Sequence, residues 1–303
     1  MTDTAPLYDI RDGRFARLIH PHARLDRLWT GGRWCEGPAW FPAGKYAIWS
    51  DIPNDRVMRW DATDGSVSVF ECPAQNQNGH AVDREGRLIR CEHRGRAVTR
   101  IEPDGTRTVL ADRYRGQRLN SPNDVTVHAD GSVWFSDPTY GIDSDYEGVA
   151  AESEIGAQNV YRIGPDGALE AVIEDLRQPN GLAFSPDGSV LYVSDTGITH
   201  DPACPPEIHA YPVLADGTGV GEGVPFCRCE TGVFDGFRLD RAGNLWSSAG
   251  DGVHCFAPDG TMLGRIAVPE TVANLCFIGP ARNRLLICAT SSVYAIYVNA
   301  TGL

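Results

Sequence analysis

Alternation of apolar and polar residues dominates this chain. Runs such as Ser132-Val-Trp-Phe-Ser136, Val190-Leu-Tyr-Val-Ser194 and Asn244-Leu-Trp-Ser-Ser248 repeat with period two, the signature of half-buried β-strands. Short segments recur between such runs: Thr63-Asp64-Gly65, Arg84-Glu85-Gly86, Pro103-Asp104-Gly105, Ala129-Asp130-Gly131, Pro165-Asp166-Gly167, Pro186-Asp187-Gly188, Ala215-Asp216-Gly217, Arg241-Ala242-Gly243 and Pro258-Asp259-Gly260. Asp-Gly and its close variants between alternating runs predict hairpin turns. No stretch predicts an amphipathic helix longer than two or three turns.

A longer unit emerges when each turn is traced back to the strand before it. Glu36-Gly-Pro-Ala-Trp40, Asn78-Gly-His-Ala-Val82, Asn123-Asp-Val-Thr-Val127, Asn180-Gly-Leu-Ala-Phe184, Asp235-Gly-Phe-Arg-Leu239 and Ala273-Asn-Leu-Cys-Phe277 occupy one place in six units, with spacings of 42, 45, 57, 55 and 38 residues. Each interval accommodates four short strands, and the two longest carry inserts, Tyr140 to Gln158 and Gly197 to Pro206. The expected fold is therefore all-β, a six-bladed β-propeller with four antiparallel strands per blade. The unit from Ala273 supplies about three strands before Leu303, and Ala23-Arg-Leu-Asp-Arg-Leu-Trp29 is a spare strand-like run. That run is expected to close the last blade from the N-terminal side. The chain then divides into an N-terminal extension, residues 1–22, and a single propeller domain, residues 23–303, with no linker or composition break inside it. Composition leaves the extension open between an ordered wrap and a loose tail.

Composition agrees with many turns and a sizeable core. Gly 33 and Pro 20 make 53 of 303 residues, above the usual roughly 12 %. A hydrophobic fraction of 42 % and a charged fraction of 22 % are globular values, far from the signature of disorder. Net charge is −13, a field that repels phosphate backbones and anionic lipid heads, so nucleic acid and membrane are not expected partners. No window approaches the roughly 18 consecutive apolar residues of a membrane helix, and Met1 to Ile10 holds Asp3 and Asp9 without an apolar signal core. Nine cysteines, an odd number with only Cys227 and Cys229 close together, do not form a disulfide framework. A soluble, cytoplasmic protein with free thiols is expected; its oligomeric state is left open.

In a propeller the first strand of every blade lines the central channel, so equivalent starts form a ring: Glu36, Asn78, Asn123, Asn180, Asp235 and Ala273. Two carboxylates and three carboxamides facing a buried axis each need a partner. Converging hard oxygens without thiolate or imidazole suit a cation such as Ca²⁺. Asn-Gly and Asp-Gly are also turn pairs, and Asn or Asp at a strand start also caps a loop; the recurrence at five of six equivalent positions favours the ring. The returning second strands end at Ser50-Asp51, Glu92-His93, Ser136-Asp137, Ser194-Asp195, Ser248-Ala249 and Ala289-Thr290, which should rim the same mouth. There Asp137 and His93 read equally as groups that bind a polyhydroxylated ligand or move protons, and as turn acceptors or a satisfied structural histidine.

The set Glu36-Gly-Pro38, Ser121-Pro-Asn-Asp124, Trp134-Phe-Ser-Asp-Pro-Thr-Tyr-Gly141, Gln178-Pro-Asn-Gly-Leu182, Ser194-Asp195 and Asp235-Gly236 resembles the senescence-marker-protein/gluconolactonase (regucalcin-like) family. The similarity covers nearly the whole chain from about Leu25, and Trp134 to Gly141 looks most like its bacterial gluconolactonase branch. The resemblance implies a divalent cation, most often Ca²⁺ with Zn²⁺, Mn²⁺ or Mg²⁺ as alternatives, held by Glu36, Asn180 and Asp235. It gives Asn123 a place on metal or substrate. Animal members carry an Arg where this chain has Ser121, which changes the expected sugar contacts; Asn78 is assigned to substrate by its place in the ring alone.

The implied reaction is hydrolysis of a sugar lactone. The cation polarises the carbonyl, Asp235 takes the proton of water, and His93 or Asp137 assists the leaving hydroxyl. Rival readings keep the propeller but change its use, to an organophosphate or aryl-ester hydrolase with an apolar pocket, or to a non-catalytic Ca²⁺-binding platform. No Gly-x-Ser-x-Gly elbow, His-Glu-x-x-His or Cys-x-x-Cys pair competes. The acidic insert with Asp143, Asp145, Glu147, Glu152 and Glu154 reads as a solvated loop somewhat more readily than as a lid.

Overall fold

In a computed structural model, which describes residues 6–303, six antiparallel sheets of alternating strands follow one another around a channel. The first blade runs Cys35–Phe41, Tyr46–Asp51, Arg56–Asp61 and Val67–Glu71. Blades two, three and four begin at Gln77–Val82, Val125–Val127 and Pro179–Phe184, and each adds its next three strands outward in chain order. The fifth begins at Phe237–Leu239 and the sixth at Val272–Ile278. The sequence-predicted six-bladed propeller is thus the observed architecture.

Closure occurs as the spare N-terminal run predicts. Asp26–Thr30 pairs antiparallel with Ser292–Tyr297 as the outer strand of the sixth blade, which brings that sheet to the four strands of blades one to four. A second addition has no signal in the repeat: Tyr8–Ile10 pairs with Met262–Ala267 as a fifth strand on blade five. Between these strands the chain buries Phe15 completely, its ring tilted against Trp246 at 6.1 Å.

The core is divided among the blade seams because each sheet has apolar residues on both faces and must bury both. Six clusters of buried apolar side chains fill the six seams among the described residues. Large rings on the first and second strands meet across the seams, as with Trp134 edge-on to Phe184 at 5.4 Å and Trp246 edge-on to Phe277 at 6.2 Å, an arrangement their quadrupoles favour. All nine cysteines are free.

Near the axis there is room for little. A Cβ on Gly37 would strike the Asn78 carbonyl, and one on Gly181 the Asp235 carbonyl. The Gly after a ring residue is therefore required by the close approach of neighbouring inner strands rather than by a turn. That approach is itself hydrogen-bonded: Gly79 N donates to Asn123 O at 2.7 Å, Gly181 N to Asp235 O at 3.2 Å and Gly236 N to Ala273 O at 2.8 Å. These bonds place Asn123, Asp235 and Ala273 in the equivalent register that the spacing predicts.

Candidate active site

The strand ends explain how the ring residues are delivered. Asp51 accepts from Arg33 N at 2.9 Å, Asp137 from Asn120 N and Ser121 N at 2.8 Å each, and Asp195 from Arg177 N at 2.9 Å and Gln178 N at 2.8 Å. Each carboxylate thus fixes the loop that leads into its own blade's inner strand, two or three residues before Glu36, Asn123 or Asn180. The preceding serine reaches the next blade: Ser50 Oγ donates to Asn78 O at 2.9 Å and Ser194 Oγ to Asp235 O at 2.8 Å. A Ser-Asp pair is therefore a positioning device, tying a ring residue on each side.

A cavity of about 210 Å³ opens at this end of the channel, lined by Glu36, Asn78, Asn123, Asn180 and Asp235, by Tyr140, Glu147, Thr196 and Thr199, and by apolar Trp34 and Val233. Five of the sequence-predicted site residues therefore meet on one space. The other end of the channel holds a larger hollow of about 530 Å³ around Trp40, His80, Phe184, Arg238 and Phe277, but no pair of unpaired carboxylates converges on it.

The cavity's electrostatics are unbalanced. Glu36 is 2 % exposed and accepts from Asn274 Nδ2 at 2.9 Å and from Gly37 N. Burial and then the charge of Asp124 nonetheless push its carboxyl up. Asp235 is raised well above the usual carboxylate range by burial first, then by Glu36, Glu147 and Asp124, while the Asn180 amide favours its charged form. The cationic neighbour in the channel, Arg238, is shared with Asp124 at 3.3 Å. Two such acids beside three carboxamides form an oxygen set that a hard cation would neutralise. Among the described residues no group of three or more His, Cys, Asp or Glu is arranged to hold a metal ion, so any such site depends on the asparagines.

Three predicted site residues do not line the cavity. Asp137 spends both carboxylate oxygens on backbone N–H groups; burial pushes its carboxyl up to about 7 against the pull of those bonds. Ser121 is fully buried and accepts from Gly141 N at 2.9 Å while donating to Pro138 O at 2.7 Å. His93 is fully buried beneath the insert, and that burial pushes its imidazole down to about 4, so it is neutral near pH 7.

What the sequence reading missed lies in the insert. Four of its five acids, Asp143, Asp145, Glu152 and Glu154, are exposed as a solvated loop requires, yet the insert is fastened across the mouth as a roof: Tyr140–Asp143 is one helical turn, and the Tyr140 hydroxyl lies 2.6 Å from Thr196 Oγ1 and 2.8 Å from Thr199 Oγ1. Further on, Ser153 Oγ donates to Asn120 Oδ1 at 2.6 Å, Glu154 accepts from Arg118 N at 2.8 Å, and Arg33 lies over the Tyr146 ring at 5.0 Å. The roof carries Glu147 into the cavity, where burial and Asp143 push its carboxyl up to about 7. The run of insert acids was its only signal.

Comparison with known proteins agrees with this fold. Residues 34–291 match the SMP-30/Gluconolactonase/LRE-like region. The chain is 32 % identical over 296 residues to a gluconolactonase of Zymomonas mobilis, covering 89 % of this chain and 80 % of that protein. It is 29 % identical over 269 residues to the pentonolactonase XacC of Haloferax volcanii, covering 85 % and 82 %. The solved structure of XC5397 from Xanthomonas campestris, described as a gluconolactonase, superposes with a TM-score of 0.90 at 39 % identity, covering 97 % of this chain and 95 % of that one. With its family region matched over most of the chain and a gluconolactonase relative matched over most of both lengths, this chain belongs to the SMP-30/gluconolactonase family.

Proposed function

We propose that this protein hydrolyses a sugar lactone of the gluconolactone type to its aldonic acid with the help of a divalent cation. The observation that carries the reading is the small, roofed cavity on which five carboxylate and carboxamide side chains of the ring converge. At about 210 Å³ it falls below the roughly 300–1,000 Å³ of drug-sized sites, and only Trp34 and Val233 of its lining are apolar. That chemistry suits a compact polyhydroxylated substrate over an aryl ester or organophosphate. The lactonases among its relatives support the same class.

Glu36, Asn123, Asn180 and Asp235 would hold the cation, Ca²⁺ by the preference of carboxylate and carboxamide oxygens, and when bound it supplies Lewis-acid polarisation of the lactone carbonyl. The remaining work falls to side chains. Glu36 is almost wholly buried and has one oxygen, Oε2, held by Asn274 and Gly37, which leaves Oε1 for the cation, whereas Asp235 keeps part of its surface open to the cavity. Asp235 is therefore the general base. It takes a proton from the attacking water as the new C–O bond forms at the lactone carbonyl carbon. When the ring C–O bond breaks, the same proton passes to the departing ring oxygen, so the base is restored. His93 and Asp137, which do not line the cavity, support the site from behind. The roof narrows the mouth and presents Glu147 to substrate hydroxyls.

The test is direct. The protein should open glucono-1,5-lactone in a pH-indicator assay far faster than it cleaves an aryl ester or a fluorophosphonate. The reverse preference would move the assignment to the aryl-ester and organophosphate class.

A further inference from the structure

The tautomer of His93 is fixed by its surroundings. Its Nδ1 lies 3.1 Å from the carbonyl oxygen of Glu147; a carbonyl only accepts, so Nδ1 carries the hydrogen. In the neutral ring Nε2 is then an acceptor, and it lies 3.3 Å from Asn78 Nδ2, which donates. The amide is thereby oriented, with its NH₂ turned to His93 and its oxygen turned away. Asn78 is 4 % exposed and lines the cavity, and its Oδ1 is buried without a hydrogen-bond partner. A buried acceptor left unpaired is a cost that a ligand's donor relieves.

We propose that His93 is a positioning residue that holds Asn78 Oδ1 in the cavity as the acceptor for a hydroxyl of the substrate, making Asn78 a determinant of specificity for hydroxylated lactones. The inference rests on the lactonase reading and adds to it a residue pair and a discriminated group. The same imidazole packs under the roof, where a Cβ on Gly141 would strike it. Roof and acceptor are thus set by one side chain: the Glu147 carbonyl fixes the ring, and the ring fixes the amide. Glu147 and Asn78 then face the substrate from above and from blade two, as two acceptors suited to adjacent hydroxyl donors.

The experiment compares glucono-1,5-lactone with δ-valerolactone, which has the ring ester but no hydroxyls. Asn78→Ala should lower the ratio of their kcat/KM values about 3- to 10-fold, the worth of one neutral hydrogen bond, through KM more than kcat. His93→Leu should lower the ratio similarly, and adding it to Asn78→Ala should lower it little further, because the two act through one oxygen. Additive losses, or a ratio within about twofold of wild type in Asn78→Ala, would overturn the inference even if His93→Leu fails to fold. Calorimetric Ca²⁺ titration separates the remaining case: affinity lost in Asn78→Ala would make Oδ1 a cation ligand and overturn it too. A wild-type protein that opens neither lactone contradicts the lactonase reading and this inference together, whereas turnover with an unmoved ratio contradicts this inference alone.

Discussion

Two aspartates with raised pKa values divide the roles that acids play in this molecule. Asp235 faces the cavity beside Glu36 and Glu147, and its elevation comes from burial and like charge. Asp137 is elevated by burial while holding two backbone N–H groups. Replacing each by Asn separates chemistry from architecture. Asp235→Asn should cut kcat for lactone opening by roughly 10²–10⁴, the usual contribution of a general base, with no loss of melting temperature, since it deletes a repelled charge. Asp137→Asn should instead destabilise the fold by about 1–3 kcal/mol, as backbone donors lose an acceptor, measured by urea unfolding. Glu36, Asn78, Asn123, Asn180 and Asp235 were legible because a repeat puts equivalent residues at one height, so their polarity recurs where a core position belongs. Asp137 and His93 were legible only as positions: periodicity fixes where a strand ends, not which way its last side chain turns. Glu147 has no counterpart in the other blades, and only the path of the insert brings it to the mouth.

At the scale of elements, each blade is fastened by short polar connections that sequence suggests but cannot orient. The turn between Arg284–Ala289 and Ser292–Tyr297 is held from the preceding loop by Glu270, which accepts from Ser291 N at 2.6 Å, Ser291 Oγ at 2.8 Å and Tyr294 OH at 2.7 Å. Against the desolvation of burial, the Ser292 hydroxyl together with those bonds holds the carboxyl down at about 2, below its ordinary 4.5. A group whose folded pKa is depressed stabilises above its unfolded pKa and loses that contribution as pH falls through the folded value. Urea midpoints of wild type and Glu270→Gln should therefore differ most above about pH 5 and converge as pH falls toward 2. A gap that stays constant across that window would refute the linkage. The insert shows the other limit of reading elements from composition. Its acids suggested solvation, and all but Glu147 are exposed, but Tyr140, Ser153, Glu154 and Tyr146 each found a partner on another segment.

The whole molecule is a ring whose stability depends on closing it. The outer strand of blade six was readable in advance because six units contained one strand too few at one end and one too many at the other. The fifth strand on blade five was not, since Tyr8–Ile10 is three residues long and lies outside the repeat. Phe15, which follows it, has no solvent exposure and packs on Trp246 in the seam between blades five and six. Phe15→Ala should cost about 3–5 kcal/mol, a drop in melting temperature of roughly 6–20 °C by calorimetry; a change under about 2 °C would show that the N-terminal segment adds nothing to closure. Closure matters for function because the ring residues come from five different blades, and any slack between blades moves their oxygens apart.

The most direct test of the account is the rate of glucono-1,5-lactone opening by protein treated with chelator and by the same protein resupplied with Ca²⁺. The rate should fall to the uncatalysed level on chelation and return with the divalent cation. A catalysed rate indifferent to chelator would contradict the role given to the oxygen ring, and tight Ca²⁺ binding without any turnover would contradict the enzyme itself.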